Sequence, residues 1–325
     1  MNPALIDCTR SFRFCRVILP AIAFVISSGA ADPKASFEVE TRRTHPAFVS
    51  IKQSGHEALR YWLNKPENSP LSVESGCFFH PFSTPKGIVV TDLAPSDHLH
   101  HRGIFLAWVE MHGTKDADFW GWGEHAPKSG RRIANRFVSE PKSDASSGRV
   151  SFEARNDWLA EASPLVREKL SVNFQTRGVA NVLDLVYTLE GDAKVRLARW
   201  AFSGFCVRTR KDGQLETYNP GGAVTLPNPR HTEPESDWPA ANWYDFTLRF
   251  DDGTIAGVAV IDHPKNPPTL WHNHRDVRMI NPCIVAPAAV DLNPGSPLIL
   301  RYRVVAHDGP LPIDLLKKLE TEWRQ

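Results

Sequence analysis

The feature that most constrains the fold is a succession of short apolar segments, separated by turn residues, that runs from residue 36 almost to the C-terminus. In segments such as 36–40 apolar and polar side chains alternate, which is typical of strands with one buried face. Asp-Gly at 252–253 and Pro-Gly at 294–295 are among the dipeptides that indicate turns between segments. Strand and helix patterns do not alternate, so the sequence argues against a doubly wound parallel sheet.

Twelve segments are predicted to be strands, and together they favour two large antiparallel sheets packed face to face. They are residues 36–40, 48–52, 58–62, 87–91, 103–109, 150–155, 170–174, 182–189, 195–202, 244–250, 255–262 and 298–307. The segments on either side of Ser54-Gly55-His56 predict a hairpin, whereas the proline- and glycine-rich stretch 211–243 predicts a long loop. We therefore expect an all-β fold, a large antiparallel β-sandwich formed by residues 32–325 as one domain.

Only the C-terminus has a clear helical pattern. Ile313, Leu316, Leu319 and Trp323 recur at spacings of three and four, which places them on one face of a helix. Asp314 lies in the first turn, where a negative charge is favourable. The sequence therefore predicts one short C-terminal helix after the last strand.

The N-terminus has the pattern of an export signal, which we assign to residues 1–31. Arg10, Arg13 and Arg16 precede an apolar run at 17–26, and small residues follow at 28–30. The apolar run is shorter than the roughly 20 residues of a membrane-spanning helix. We therefore expect a periplasmic or secreted protein that has no membrane association after signal cleavage.

Charge and cysteine content exclude several classes of partner and site. The chain has 38 Lys and Arg against 37 Asp and Glu, so no strongly basic face for nucleic acid is expected. Cys77, Cys206 and Cys283 follow the predicted signal; their spacing fits no zinc motif, and we expect all three to be buried. The sequence also has no Gly-x-Ser-x-Gly, no phosphate-binding glycine loop and no His-Glu-x-x-His.

Chemistry is concentrated in a histidine cluster. His98, His100 and His101 fall within four positions, with Asp97 before them and Arg102 after. Imidazole titrates near neutrality, so the cluster indicates proton transfer or metal binding, and Asp97 is placed to orient one ring. If the segment is extended, His98, His100 and Arg102 share one face. The alternative is an exposed polar loop with incidental histidines.

Two further groups add aromatic rings and charges. The first contains His272 and Arg275, again within a stretch of Trp, His, Arg and Asp. The second contains Trp120 and Trp122, separated by a glycine, with Glu124 close behind. Indole rings pack against the C–H faces of sugars, so this second group favours a carbohydrate ligand; burial of either tryptophan in the core is the alternative.

Several motifs resemble a family of exported bacterial proteins that carries the label "methane oxygenase PmoA-like". They are His80-Pro81-Phe82-Ser83-Thr84-Pro85-Lys86-Gly87, Ser96-Asp97-His98-Leu99-His100-His101-Arg102-Gly103, Ala107-Trp108, Asp118-Phe119-Trp120-Gly121, Asp262-His263-Pro264-Lys265-Asn266-Pro267, Trp271-His272 and Asn281-Pro282. The resemblance covers roughly residues 35 to 310. It implies a large β-sandwich similar to the galactose-mutarotase-like supersandwich, in bacteria rich in polysaccharide-degrading systems. We do not take the resemblance to imply methane oxidation. That activity would be expected of a membrane-embedded protein, and no membrane span follows the predicted signal.

The leading hypothesis is an exported carbohydrate-active enzyme, a hydrolase, lyase or epimerase, that acts on a glycoside or modified sugar. The residues assigned to catalysis are His100, His101, Asp97 and Glu124, and those assigned to substrate binding are Arg102, Trp120, His272, Arg275 and His80. His100 or His101 would be the general acid or base, because a pKa near the working pH suits proton transfer. Arg102 would hold substrate oxygens through its planar fork.

Two alternatives stay open. A metal-dependent enzyme, with oxidation among its possible reactions, would use His98 and His100, with His272 or His80, as ligands to a divalent metal. A non-catalytic sugar-binding protein would use the same aromatic and basic residues without turnover. The ligand in every case is a carbohydrate or another small molecule.

Overall fold

The computed structural model describes Met1 and residues 36–122, 131–144, 146–225, 228–229 and 238–325. Apart from Met1, the predicted signal peptide lies outside these residues. The described strands in chain order are β1 (Phe37–Arg42), β2 (Phe48–Gln53), β3 (His56–Trp62), β4 (Phe78–Phe82), β5 (Ile104–Ala107), β6 (Met111–His112), β7 (Arg131–Val138), β8 (Lys142–Asp144), β9 (Arg149–Ala160), β10 (Ser163–Arg177), β11 (Ala180–Gly191), β12 (Val195–Leu197), β13 (Gly204–Arg208), β14 (Gln214–Asn219), β15 (Gly222–Ala223), β16 (Trp243–Arg249), β17 (Ile255–Asp262), β18 (Leu270–Trp271), β19 (Met279–Ile280), β20 (Pro282–Cys283), β21 (Val290–Leu292) and β22 (Leu298–Asp308), followed by the helix α1 (Ile313–Trp323).

Two antiparallel sheets contain most of these strands, which confirms the predicted all-β sandwich. The larger sheet has the order β15-β14-β16-β17-β22-β11-β10-β9-β7, with β8 paired to β9. The smaller has the order β1-β2-β3-β4-β5-β13-β19. From residue 36 onward the described residues belong to one compact unit.

Alternating side chains along the long strands form the core between the sheets. On β10, Leu170, Val172 and Phe174 are buried, whereas the intervening Ser171 and Asn173 are more exposed. This alternation is the period-two pattern that the sequence predicts, since successive strand residues point to opposite faces. Most of the buried side chains of both sheets belong to one large hydrophobic cluster.

The helix α1 covers the outer face of the large sheet. Leu316 and Leu319 pack with side chains of β11, β17 and β22, so these central strands are buried on both faces. Arg303 reinforces this contact, because it donates to both carboxylate oxygens of Asp184 at 2.6 and 2.8 Å and to the carbonyl oxygen of Leu319 at 2.7 Å. The predicted helix is confirmed. It has 11 residues and is not long and apolar enough to cross a membrane.

Three local predictions are wrong. The stretch 211–243 is not simply a loop, because β14 and β15 form there and extend the large sheet at its edge, where polar residues can face water. The segment 87–91 makes only isolated bridges, from Val89 to Ser83 and from Thr91 to Thr209, so its pairing partner changes within two residues. The segment 195–202 forms a strand only at β12.

We expect Leu319→Ala to lower the free energy of unfolding by about 2–5 kcal/mol, because it opens a cavity between α1 and the sheet. Lys318→Ala is the matched control; this side chain is exposed, and we expect a change within about 0.5 kcal/mol. Chemical denaturation measures both values. Equal stabilities for the two variants would contradict the packing of the helix.

Candidate functional site

A pocket lies at the end of the smaller sheet, where β5, β13 and β19 run side by side. Residues 97–102, which we call the histidine loop, lead into β5, and Arg208 is the last residue of β13. The hairpin 274–279 leads into β19, where Met279 pairs with Arg208. The pocket contains about 270 Å³ of unoccupied space, including solvent at its mouth, and its lining is His98, His100, His101, Trp120, Trp122, Phe202, His274, Val277 and Met279.

The histidine loop turns back on itself instead of extending. The amide of His98 donates to the carbonyl oxygen of Pro95, and the amide of His101 donates to that of His98, both at 2.9 Å. These turns gather the rings of His98, His100 and His101, whose centroids lie 4.5–5.5 Å apart. The expectation that alternate residues of an extended segment share a face is therefore wrong.

Arg102 lies beneath the pocket and is fully buried. Its guanidinium donates to the carbonyl oxygens of His100 and Phe119 at 3.1 and 3.0 Å and packs over the ring of Phe105. The guanidinium of Arg102, which was predicted to hold substrate oxygens, instead bonds to backbone carbonyl oxygens. These bonds connect the histidine loop to the segment around Trp120. The next residue, Gly103, has φ +62°, and a Cβ there would lie 2.1 Å from the carbonyl oxygen of Phe79, so only glycine fits.

Asp97 is the electrostatic centre of the site. Its carboxylate accepts hydrogen bonds from Arg208 Nη2 at 2.8 and 3.1 Å and from Lys211 Nζ at 2.8 Å. It also contacts His98 Nδ1 at 3.0 Å. Burial alone would raise the pKa of Asp97, but the hydrogen bonds from Lys211 and His98 and the charge of Arg208 hold it far below its ordinary value. Asp97 is therefore ionised at neutral pH.

This arrangement fixes the tautomer of His98. An ionised carboxylate can only accept, so Nδ1 of His98 carries the proton of the bond to Asp97. Burial lowers the pKa of His98 and outweighs the hydrogen bond to Asp97, which raises it. The ring is therefore neutral at neutral pH, with the lone pair on Nε2. Asp97 thus orients an imidazole, as the sequence predicts, and the imidazole is that of His98.

The other two histidines of the cluster are more deeply buried. Burial, followed by the influence of His98 and Arg102, lowers the pKa of His100 to about 3. Burial and the neighbouring His100 lower the pKa of His101 well below its ordinary value. Arg208 Nη1 donates to His101 Nδ1 at 3.2 Å, which places the proton of the neutral ring on Nε2. All three rings are therefore neutral at pH 7.

The segment Asp118 to Trp122 supplies the aromatic wall. Asp118 accepts hydrogen bonds from the amides of Gly121 and Trp122, both at 2.8 Å, and its burial raises its pKa to about 7. Trp122 is half-buried and parallel to His98, with ring centroids 6.3 Å apart. Trp120 also lines the pocket but is 1% exposed, so Trp122 offers the larger aromatic surface to a ligand.

The remaining predicted residues are more dispersed. His272 is buried with its ring against Phe202, a pocket residue, and Arg275 follows His274 at the pocket wall. His80 is absent from the pocket lining; its Nδ1 lies 3.0 Å from Thr91 Oγ1, and burial lowers its pKa to about 4. Glu124 lies outside the described residues. Cys77, Cys206 and Cys283 are free and buried, as predicted.

Sequence reasoning missed Arg208 and Lys211. Both are more than 100 positions from Asp97, and no motif connects them to it. The apolar run of Phe205 to Val207 after Gly204 was a usable signal for strand β13, whose end carries Arg208. Phe202 was not singled out, and Trp122 and His274 received no role. A strand predicted at 204–208 would have added Arg208 to the candidate site.

The metal hypothesis depends on His98 and His100, whose ring centroids lie 5.5 Å apart. Within the part of the chain that the structure describes, no group of three or more His, Cys, Asp or Glu side chains is placed to hold a metal ion. Any ion at His98 and His100 would need further ligands from outside the described side chains. A divalent metal at this pair stays a prediction.

We expect the change in unfolding free energy from pH 7 to pH 5 to be more favourable in His100→Asn than in wild type, by roughly 1–2 kcal/mol. The folded pKa of His100 is about 3, so below its unfolded pKa the unfolded chain binds a proton that the folded chain does not. Denaturation at the two pH values measures this difference. His112→Asn is the control with the opposite sign, because hydrogen bonds to Asp116 and Glu110 raise the pKa of His112. Equal pH dependence of His100→Asn and wild type would contradict the burial of a neutral ring.

We expect Gly121→Ala to disturb the pocket. Gly121 has φ +99°, and a Cβ would lie 2.7 Å from Val73 Cγ1 and 2.8 Å from His100 Cβ. Gly148→Ala is the matched control, since Gly148 also has a positive φ but has nothing within 4 Å of an added Cβ. The control should cost about 1 kcal/mol of unfolding free energy from backbone strain, and Gly121→Ala about 1–3 kcal/mol more. Equal losses in thermal or chemical denaturation would show that Gly121 does not pack against the histidine loop.

Several solved structures are similar to this chain. The GH36 α-galactosidase AgaA from Geobacillus stearothermophilus is 8% identical with a TM-score of 0.39, over 86% of this chain and 40% of that chain. AgaB from the same organism is 9% identical with a TM-score of 0.42, over 85% and 39%. A galactose mutarotase related enzyme from Lactobacillus acidophilus is 8% identical with a TM-score of 0.36, over 84% and 97%. The chain spans about 40% of the length of the α-galactosidases, and these likenesses transfer no activity to it.

Among curated proteins none matches this sequence. A family model described as "Family of unknown function (DUF6807)" matches residues 49–320, which is most of the chain. That description differs from the methane-oxygenase label, so the resemblance to PmoA-like proteins stays a prediction. The chain belongs to the family of unknown function DUF6807.

Proposed function

We propose that this protein is an exported carbohydrate-active enzyme in which His98 transfers a proton to or from a sugar. The observation that carries the proposal is the Asp97–His98 pair, a carboxylate and an oriented imidazole 3.0 Å apart, beside a pocket with aromatic walls. Location in the periplasm or outside the cell follows from the sequence pattern of residues 1–31 and is part of the proposal.

His98 is suited to act as the general base. Its neutral ring has a lone pair on Nε2, and the ionised Asp97 stabilises the imidazolium that forms when Nε2 takes a proton. Arg208 and Lys211 hold Asp97 in place, so the ring needs little rearrangement during the reaction. Of the three clustered histidines, His98 has the pKa that burial and neighbouring charges lower least, and its side chain is 19% exposed.

The pocket walls support a sugar as the ligand. Trp122 is half-buried and lies edge to face with Phe202, with centroids 5.6 Å apart. Aromatic faces of this kind pack against sugar C–H groups, while imidazole nitrogens are suited to hydroxyl groups. The role predicted for Trp120 passes in this proposal to Trp122.

The carboxylates near the pocket favour proton transfer at a sugar carbon, as in a lyase or an epimerase, over glycoside hydrolysis. Hydrolysis usually requires two carboxyl groups on opposite sides of the scissile bond, one of them an acid with a raised pKa. Asp97 is held ionised by two cations, and Asp118 is fully buried and bonded to backbone amides. Among the described residues of the pocket, the imidazoles are the groups left to move protons.

The test is hydrogen exchange in D2O, followed by NMR on glucose, galactose, glucuronate and galacturonate. We expect deuterium to appear at a sugar carbon with wild-type protein. His98→Ala and Asp97→Asn should reduce the rate by about 10²–10⁴-fold, as is typical when a general base or its partner is lost. His112→Ala is the matched control, because His112 also contacts carboxylates, those of Glu110 and Asp116, but lies outside the pocket lining.

Three results would contradict the proposal. Exchange that persists in His98→Ala would remove the assigned base. Tight sugar binding without any exchange or product would indicate a non-catalytic sugar-binding protein. Activity that disappears with a chelator and returns with a divalent metal would favour the metal-dependent alternative.

A further inference from the structure

We propose that a second cavity, next to the pocket, binds an anionic group of the substrate, so that the substrate is an acidic sugar with a carboxylate or a sulfate ester. This inference rests on the proposed function and specifies its substrate class. The second cavity, which we call the basic cavity, contains about 630 Å³ of unoccupied space, including solvent at its mouth. Its lining is Lys211, Leu215, Arg275, Asp276 and Arg278.

The pocket and the basic cavity share the 274–279 hairpin as a wall. His274, Val277 and Met279 line the pocket, whereas the residues between them, Arg275, Asp276 and Arg278, line the basic cavity. Backbone hydrogen bonds of 2.8 and 3.0 Å between residues 274 and 279 close the hairpin and fix this division. The hairpin therefore lies between the two cavities.

Positive charge in the basic cavity exceeds negative charge. Among the described residues Arg275 has no carboxylate partner, and its Nε is buried without a hydrogen bond. Arg278 Nη2 donates to the carbonyl oxygen of Gly213 at 2.8 Å. Burial and then the like charge of Arg275 lower the pKa of Arg278, against the smaller opposite effect of Asp276. Among the described residues of the lining, Asp276 carries the one acidic group.

Lys211 connects this charge to the proton-transfer pair. It lines the basic cavity, and its Nζ donates to Asp97 at 2.8 Å, while Asp97 contacts His98 on its other side. An anion beside Lys211 would therefore lie close to the base. Planar guanidinium groups bind carboxylates and sulfates through two parallel hydrogen bonds, so Arg275 and Arg278 are suited to either anion.

The experiment is calorimetric titration of the full protein with glucuronate, glucose 6-sulfate, glucose and inorganic sulfate at low and high salt. We expect at least one of the two acidic sugars to bind ten-fold or more tightly than glucose, and the difference to shrink at high salt. Arg275→Gln and Arg278→Gln should each weaken that binding about ten-fold. Asp276→Asn should strengthen it, which gives a test that does not depend on loss of function. Arg132→Gln, an exposed arginine elsewhere, should leave it unchanged.

The choice of ligands distinguishes a carboxylate from a sulfate ester. Because the titration measures binding and not proton exchange, it tests the basic cavity separately from the proposed function. Preference for glucuronate identifies a uronic acid, and preference for glucose 6-sulfate identifies a sulfated sugar. Equal binding of acidic and neutral sugars, or acidic-sugar binding that Arg275→Gln, Arg278→Gln and Asp276→Asn leave unchanged, would overturn the inference. If His98→Ala still binds the acidic sugar, the basic cavity is supported even when no proton exchange is found. If neutral sugars undergo exchange and acidic sugars bind no more tightly, the proposed enzyme is supported and the proposed role of the basic cavity is overturned.

Discussion

The pairing of Arg208 with Asp97 is the interaction on which the site depends. Arg208 is fully buried at the end of β13, and a buried guanidinium is costly unless it is paired and hydrogen-bonded. Its contacts with Asp97 and His101 pair the charge through both Nη atoms, while Nε has no hydrogen bond among the described residues, and they attach the histidine loop to the sheet. The strand therefore supplies a rigid support, and the loop supplies the groups that face the pocket.

A second buried cation, Arg102, connects two segments of the site. Arg102 bonds to carbonyl oxygens of both the histidine loop and the segment around Phe119, so the two walls of the pocket cannot move independently. Asp118 completes this support by accepting the amides of Gly121 and Trp122. Rigid surroundings of this kind are what a proton-transfer site requires, because the base has to meet its proton at a fixed distance.

The three clustered imidazoles illustrate how one residue type acquires different properties from its surroundings. His98 contacts a carboxylate, His101 accepts from a guanidinium, and His100 packs against Gly121 at the pocket wall. Burial lowers the pKa of each ring, and the hydrogen bonds of His98 and His101 set which of their nitrogens carries the proton. The charges nearest to them are Asp97 and Arg102 of the loop itself and Arg208 and Lys211, which are distant in sequence.

The sequence by itself determined the fold class, the C-terminal helix and the position of the histidine loop, because side-chain periodicity and local residue chemistry are properties of neighbouring positions. It could not determine that Arg102 turns inward, that Trp122 rather than Trp120 offers its face, or that Arg208 and Lys211 bind Asp97. Strand β14, next to the edge of the large sheet, was missed for a related reason, since most of its side chains are polar and partly exposed. Tertiary structure decided these features, because they depend on which strands are neighbours, and strand order is set by packing of the whole core.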